Sequence, residues 1–128
     1  MKLMLIKEII VRKQDAFEKS IQTWAEAKAI KFTTFDGKES LTDVANAVVL
    51  FHENHTVSKE NELVKNLFAE NGKFSHSVDV NGTLIAAVSS FVFWLENHKP
   101  KSVLFIGDDN IIKNEKFITY LEKLTDRI

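Results

Sequence analysis

The stretch AVVLFH at residues 47–52 decides the fold, because it places five apolar residues in succession before a polar one. A run of this length without polar alternation is typical of a strand that is covered on both faces. The stretch SVLFI at residues 102–106 repeats the pattern later in the chain. Since doubly covered strands belong mainly to parallel sheets flanked by helices, the two runs together predict an α/β fold.

Helix signals alternate with strand signals on both sides of these runs. Ser58 is a good N-cap for a helix. Asn71 and Gly72 end that helix, and Pro100 ends the helix that precedes the last strand. The predicted strands cover residues 6–11, 30–35, 47–52, 74–80 and 102–106, and the predicted helices cover residues 15–29, 41–46, 58–70, 83–98 and a final segment from residue 114.

This alternation of strands and helices predicts right-handed crossovers and one mostly parallel sheet with helices on both faces. We therefore expect a single three-layer αβα domain over residues 1–128. Its sheet is expected to be five-stranded, doubly wound and flavodoxin-like, with the strand order 2-1-3-4-5. An alternative stays open at the start of the chain: if residues 1–29 form one long helix, the sheet has four strands.

Composition and charge narrow the class of partner. Seventeen basic residues stand against eighteen acidic ones, the net charge is −1, and neither sign forms a long block. This balance gives no expectation of binding to nucleic acid or to an anionic membrane. The most apolar segment, residues 84–95, is far shorter than the ~20 residues that a membrane span needs, so we expect a core element there.

The absence of cysteine excludes disulfides, thiolate metal sites and cysteine nucleophiles. Charged residues interrupt the apolar start of the chain at Lys2, Lys7 and Glu8, which is unlike a secretory signal peptide. A cytoplasmic location is therefore expected.

Function in an open α/β sheet is sought at the carboxyl ends of the strands, where ligands bind. Polar residues follow four of the predicted strands, and their carboxylates suit a hydrated magnesium ion or the hydroxyl groups of a ribose. The same residue types also cap helices and form turns, so a structural role is the competing interpretation. The candidate ligand-binding residues are Asp36, Asn54, His55, Asp79, Asn81, Asp108 and Asp109, and the candidate catalytic carboxylates are Glu53 and Glu62.

Several well-defined site types are missing from the sequence. No GxGxxG or GxxxxGK[ST] string occurs, so neither a dinucleotide site nor a P-loop is expected. The third strand ends in His52 and Glu53, where a two-component receiver would carry its phosphoacceptor Asp. A zinc site built on His52, His55 and His76 would need suitable geometry from two strands, and we predict no metal and no cofactor.

The helix predicted at residues 83–98 has almost no polar face. Leu84, Val88 and Phe91 belong to the stripe that suits the sheet, whereas Ile85, Val92, Phe93 and Trp94 lie off it. Such a helix needs a cover on its second face. Another helix of the chain or a second copy of the protein would provide it, and both alternatives stay open.

Three stretches carry a family resemblance: IKFTTFD at 30–36, VVLFHEN at 48–54 and SKENEL at 58–63. With the preceding helix, residues 17–67 resemble the middle of a Toll/interleukin-1 receptor (TIR) domain. The resemblance implies a TIR-like doubly wound sheet, and it matches Glu62 to the glutamate that acts on the glycosidic bond of NAD in enzymatic members. Nucleoside deoxyribosyltransferase-like proteins share a similar layout. Judged from its position alone, Glu62 is a solvated helix residue.

Two functions follow from these observations. The first is a non-catalytic interaction or regulatory module that uses the apolar helix at residues 83–98, either to bind a protein partner or to self-associate. The second is an enzyme that cleaves or transfers an N-glycosidic bond of a nucleotide or nucleoside through Glu62 or Glu53. A deep pocket lined by both glutamates would favour the enzyme, and its absence would favour the module.

Overall fold

A computed structural model of the protein describes residues 5–12 and 15–128, and the parts of the predicted first strand and of the alternative long helix that precede residue 5 lie outside these ranges. The strands are β1 (Ile9–Val11), β2 (Phe32–Thr34), β3 (Ala47–His52), β4 (Phe74–Asp79) and β5 (Val103–Gly107). The helices are α1 (Ala16–Ala27), α2 (Leu41–Val44), α3 (Lys59–Glu70), α4 (Leu84–His98) and α5 (Glu115–Thr125), with a 3₁₀ helix at Asp109–Lys113.

All five strands form one parallel sheet, which confirms the doubly wound α/β class. The predicted order 2-1-3-4-5 was wrong, because the observed order is β2-β1-β5-β3-β4. β5 is buried along its whole length and takes the centre, whereas β4 carries exposed polar residues and takes the edge. A strand that is apolar on both faces loses the most buried surface at the edge of a sheet, which explains why β5 lies at the centre and β4 at the edge.

The alternative with a long N-terminal helix was also wrong. Residues 9–11 form a strand that pairs with both β2 and β5. α1 begins only after Asp15, whose carboxylate accepts a hydrogen bond of 2.9 Å from the backbone N–H of Glu18. An N-cap of this kind fixes the start of the helix and separates it from the strand.

The helices divide between the two faces of the sheet. α1, α4 and α5 cover one face, where a cluster of aromatic rings packs around Phe51 with centroid separations of 5.5 to 5.8 Å. α2 and α3 cover the other face, where Phe68 packs on the side chains of Leu50 and Leu104. The crossovers on the two faces run in opposite directions across the sheet, so all four have the same hand, as the rule for parallel strands requires.

α4 lies at the edge of its layer and is covered more fully than its sequence indicates. Val92 and Trp94 were expected to lie off the covered stripe, but both are buried. α5 packs beside the helix, and the ring of His76 packs against Trp94 in a tilted arrangement with the ring centroids 5.4 Å apart. Ile85 and Phe93 remain 70% and 67% exposed. No helix in the described part of the chain has the length and apolar character needed to cross a membrane.

The end of the central strand is fixed by a close approach. Gly107 closes β5, and a Cβ atom at this position would lie 2.6 Å from the ring of Phe17. Phe17 is fully buried in the first turn of α1, so its ring has no room to move. The absence of a side chain at Gly107 therefore allows α1 to pack closely against the sheet.

We predict that Gly107→Ala lowers the free energy of unfolding by about 1–3 kcal/mol, because the added methyl group overpacks the Phe17 ring. Gly82→Ala is the matched control, since the nearest atom to a Cβ there is a backbone oxygen at an ordinary 3.4 Å. Urea denaturation of the parent and both variants measures the difference. Equal midpoints for the two variants would show that the close approach is not a constraint.

Candidate functional site

The carboxyl edge of the sheet contains the crevice in which doubly wound folds bind ligands. The crossover from β1 leads towards β2 and the crossover from β3 leads towards β4, so the chain diverges on either side of β5. The loops after β1, β3 and β5 consequently meet at this edge. Asp108 directly follows β5 and occupies the middle of the crevice.

Asp108 is held by the start of α3. One carboxylate oxygen accepts the backbone N–H of Ser58 at 3.0 Å, and the other accepts the side-chain amide of Asn61 at 2.8 Å. The Ser58 hydroxyl caps the same helix by accepting the backbone N–H of Asn61 at 3.2 Å. The partial positive charge of a helix N-terminus favours an anion, and here the chain supplies that anion itself.

Asn61 extends the network to β1. Its side-chain oxygen accepts a hydrogen bond of 2.7 Å from the guanidinium of Arg12, and the residue is only 4% exposed. Arg12 in turn contacts Glu18, which accepts both its backbone N–H at 2.9 Å and its Nε at 3.3 Å. Glu18 is buried, and a buried carboxylate needs this kind of pairing to stay charged. The crevice is therefore filled by side chains that form hydrogen bonds with one another.

A second group of polar residues joins the loops after β3 and β4 to the segment before α5. The two oxygens of Glu53 accept hydrogen bonds from the side-chain amides of Asn110 at 2.9 Å and Asn114 at 3.0 Å. Asn114 also donates to the side-chain oxygen of Asn81 at 2.6 Å. Glu53 thus links the loop after β3 to the segment between β5 and α5.

Two of the predicted aspartates hold the backbone in place. Asp79 accepts the backbone N–H groups of Asn54 at 3.1 Å and Asn81 at 2.9 Å through one oxygen. Burial acts to raise the pKa of the Asp79 carboxyl, but these hydrogen bonds and the nearby His52 and His55 together outweigh burial, so the pKa is lowered. Asp109 accepts the backbone N–H of Phe17 at 3.2 Å and so anchors the first turn of α1.

The structure groups some of the predicted site residues and separates others. Glu53 and Asn81 both accept hydrogen bonds from Asn114, and Asp79 accepts the backbone N–H groups of Asn81 and Asn54, so these four predicted residues lie in one network. Asp36 lies after the edge strand β2, away from this network, and accepts a backbone N–H within its own loop. Glu62 is exposed on α3 and does not line the pocket described below.

Sequence reasoning missed the residues that fill the crevice, Arg12, Glu18 and Asn61. Arg12 follows the first strand, so the rule that selected the other loop residues could have selected it as well. Glu18 stands beside Phe17 and three residues before Ile21, on the apolar side of its helix, where a charged residue signals a buried partner. Asn61 carries no comparable signal.

A pocket of about 420 Å³ opens at the carboxyl end of β3 and β4, on the face covered by α3. We call it the histidine pocket and define it by Leu50, His52, His55, Val57, Lys65, Ser77 and Asp79.

The two histidines of this pocket lie against each other. The Nδ1 atom of His52 accepts the backbone N–H of His55 at 3.0 Å, and the two rings stack with centroids 5.0 Å apart. Asn54 and His55 form the turn with φ values of 51° and 66°, in the left-handed region that costs most residues free energy. His76 points to the other face of the sheet and stacks on Phe91, so the three histidines do not converge. Residues 5–12 and 15–128 contain no group of three potential metal ligands.

Comparison of the chain with protein-family models, with curated proteins and with solved structures found no match. The resemblance to TIR domains over residues 17–67 therefore stays a prediction.

We predict that Asn61→Ala lowers the free energy of unfolding by about 1–3 kcal/mol, because Arg12 and Asp108 each lose a hydrogen-bond partner in a buried setting. Asn66→Ala is the control, since Asn66 is exposed on the same helix. Chemical denaturation of both variants provides the comparison. If the two variants lose the same amount, the crevice network contributes nothing beyond a surface amide.

Proposed function

We propose that the protein is a non-catalytic interaction module that pairs with a second copy of itself through the outward face of α4. The observation that carries the proposal is Phe93, a large apolar side chain that is 67% exposed in the middle of this helix. Full burial of such a side chain is worth roughly 1.5–3 kcal/mol. A partner on this face would recover that free energy.

The outward face of α4 has the spacing of a helix-packing seam. Ala86, Ser90, Phe93 and Asn97 are all exposed and are separated by four, three and four residues. Residues at this spacing form one stripe on a helix. The small side chains of Ala86 and Ser90 allow a second helix to approach closely beside the Phe93 ring.

A second copy fits this seam because the seam is complementary to itself. If two α4 helices cross in antiparallel fashion near Ser90, Phe93 of each copy lies over Ala86 of the other. Glu96 then comes to the end of the partner helix where Ile85 lies beside Lys123, Asp126 and Arg127, which carry two positive charges and one negative charge. Opposite charges at the rim and an aromatic ring at the centre are typical of protein interfaces. A two-fold axis produces each of these contacts twice from one patch.

The polar residues of the carboxyl edge support a non-catalytic role. Asp108 and Glu53 each use both carboxylate oxygens in hydrogen bonds that tie the fold together. The enzymatic alternative, a TIR-like or deoxyribosyltransferase-like carboxylate acting on an N-glycosidic bond, requires Glu62 or Glu53 to face a substrate pocket. Glu62 is exposed, and neither glutamate lines the histidine pocket. The module is therefore the better supported of the two functions.

Sedimentation velocity at micromolar concentration tests the proposal. We expect the parent protein to sediment as a dimer and Phe93→Glu to sediment as a folded monomer, because each dimer would bury the new charge twice. Leu63→Glu is the matched control: it places the same charge at an apolar residue of α3 that is 60% exposed, and it is expected to remain dimeric. A monomeric parent protein, or an equal loss of dimer in the control, would refute self-association through α4.

A further inference from the structure

The histidine pocket lies on the opposite face of the sheet from α4, so it is independent of the proposed dimer contact. Leu50 and Val57 form an apolar floor that belongs to the α3 side of the core. The remaining residues of the pocket are all polar or titratable and come from β3, the following turn, α3 and β4. An apolar floor with a few converging polar groups is the usual composition of a small-molecule site.

One end of the pocket donates hydrogen bonds and carries a positive charge. The Lys65 ammonium donates to the hydroxyl oxygen of Ser77 at 2.9 Å. An ammonium has three hydrogens and no acceptor, so this contact leaves the Ser77 hydroxyl hydrogen and further N–H groups of Lys65 to donate elsewhere. A cationic donor beside a hydroxyl donor suits a carboxylate oxygen pair.

The other end accepts hydrogen bonds and carries a negative charge. Asp79 lies two residues after Ser77 on the same side of β4, roughly 7 Å further along the strand. Its Oδ1 is occupied by two backbone N–H groups, whereas its second oxygen accepts no hydrogen bond from the described residues. This oxygen is an acceptor suited to an ammonium or hydroxyl group.

His52 stands directly opposite Asp79 in the strand register and supplies a third polar group. Because its Nδ1 accepts the His55 N–H, the proton of the neutral ring is on Nε2, which makes that atom a donor. Burial lowers the pKa of His52; the charges of His55 and Lys65 act in the same direction, and Asp79 opposes them. The lowered pKa favours the neutral ring, and Lys65 and Asp79 supply the positive and the negative charge at the two ends of the pocket.

The turn that carries His55 is strained. Asn54 and His55 both adopt left-handed backbone conformations, and the Asn54 N–H is held by Asp79. Strain of this kind in consecutive non-glycine residues is found where a structure holds functional groups in place. Here it holds the His55 ring against His52 at the mouth of the pocket.

We propose that the histidine pocket binds a free amino acid, with the carboxylate at Lys65 and Ser77 and the ammonium at Asp79. The two ends of the pocket have opposite charge. The spacing of roughly 7 Å between Ser77 and Asp79 suits the two charged groups of an amino acid, because each group reaches its partner through one hydrogen bond. The side chain of the ligand would lie over Leu50 and Val57.

NMR titration of the ¹⁵N-labelled protein tests this site, with pools of the free amino acids as the probe and with acetate and methylammonium as separate half-ligands. We expect at least one amino acid to give saturable shifts of the His52, His55 and Asp79 amides, and each half-ligand to bind at least about tenfold more weakly, because each makes only one of the two charge-assisted contacts. Lys65→Gln should weaken the binding of the amino acid at least about tenfold, since the positive charge is lost while a polar side chain with N–H donors is kept. Lys59→Gln, an exposed position on the same helix, should leave its affinity unchanged.

Three results would overturn the proposal: no saturable shift with any amino acid, acetate binding as tightly as the best amino acid, or an equal loss of affinity in the Lys59 variant. The second result would indicate a simple anion site. The pocket contains no residue of α4, so loss of amino-acid binding and loss of the dimer can be told apart. Sedimentation of the same protein samples measures the oligomeric state.

Discussion

The structure depends on the contact between Phe17 and Gly107. β5 enters the centre of the sheet between β1 and β3, and its last residue has no side chain because the Phe17 ring occupies that space. This contact sets the depth at which α1 lies on the sheet. It also places Asp108, the next residue, where the start of α3 can bind it. Packing on one face and hydrogen bonding at the carboxyl edge are thus fixed by the same short segment.

The charged residues divide into two groups with different consequences. Arg12, Glu18 and Asp108 lie at the centre of the carboxyl edge, where they pair with one another or with Asn61. Removing one member leaves the others unsatisfied, so these residues hold the elements together. The charges of the histidine pocket lie at the edge of the sheet instead, on side chains that keep hydrogen-bonding capacity for a ligand. The binding role proposed above therefore falls to residues beside the edge strand β4, of which Asp79 also holds the backbone of the neighbouring turns.

Much of the fold could be predicted from the sequence, because its signals are local. The apolar runs identified β3 and β5, and the cap at Ser58 identified α3. The strand order could not be predicted from any one strand, because the position of each strand in the sheet depends on how much burial all the other strands need. The polar alternation of β4 was nevertheless a usable sign of an edge strand. The partners of Asn61 and the cover over Trp94 depend on contacts distant in sequence, and no local pattern encodes them.

The crevice, its hydrogen-bond network and the position of α1 all follow from the placement of β5 between β1 and β3. Backbone nuclear Overhauser effects in the labelled protein measure this placement. We expect cross-strand contacts from β5 to both neighbours, between Leu104 and Ile10 and between Phe105 and Val49. Direct contacts between β1 and β3, with β5 observed at an edge of the sheet, would contradict it.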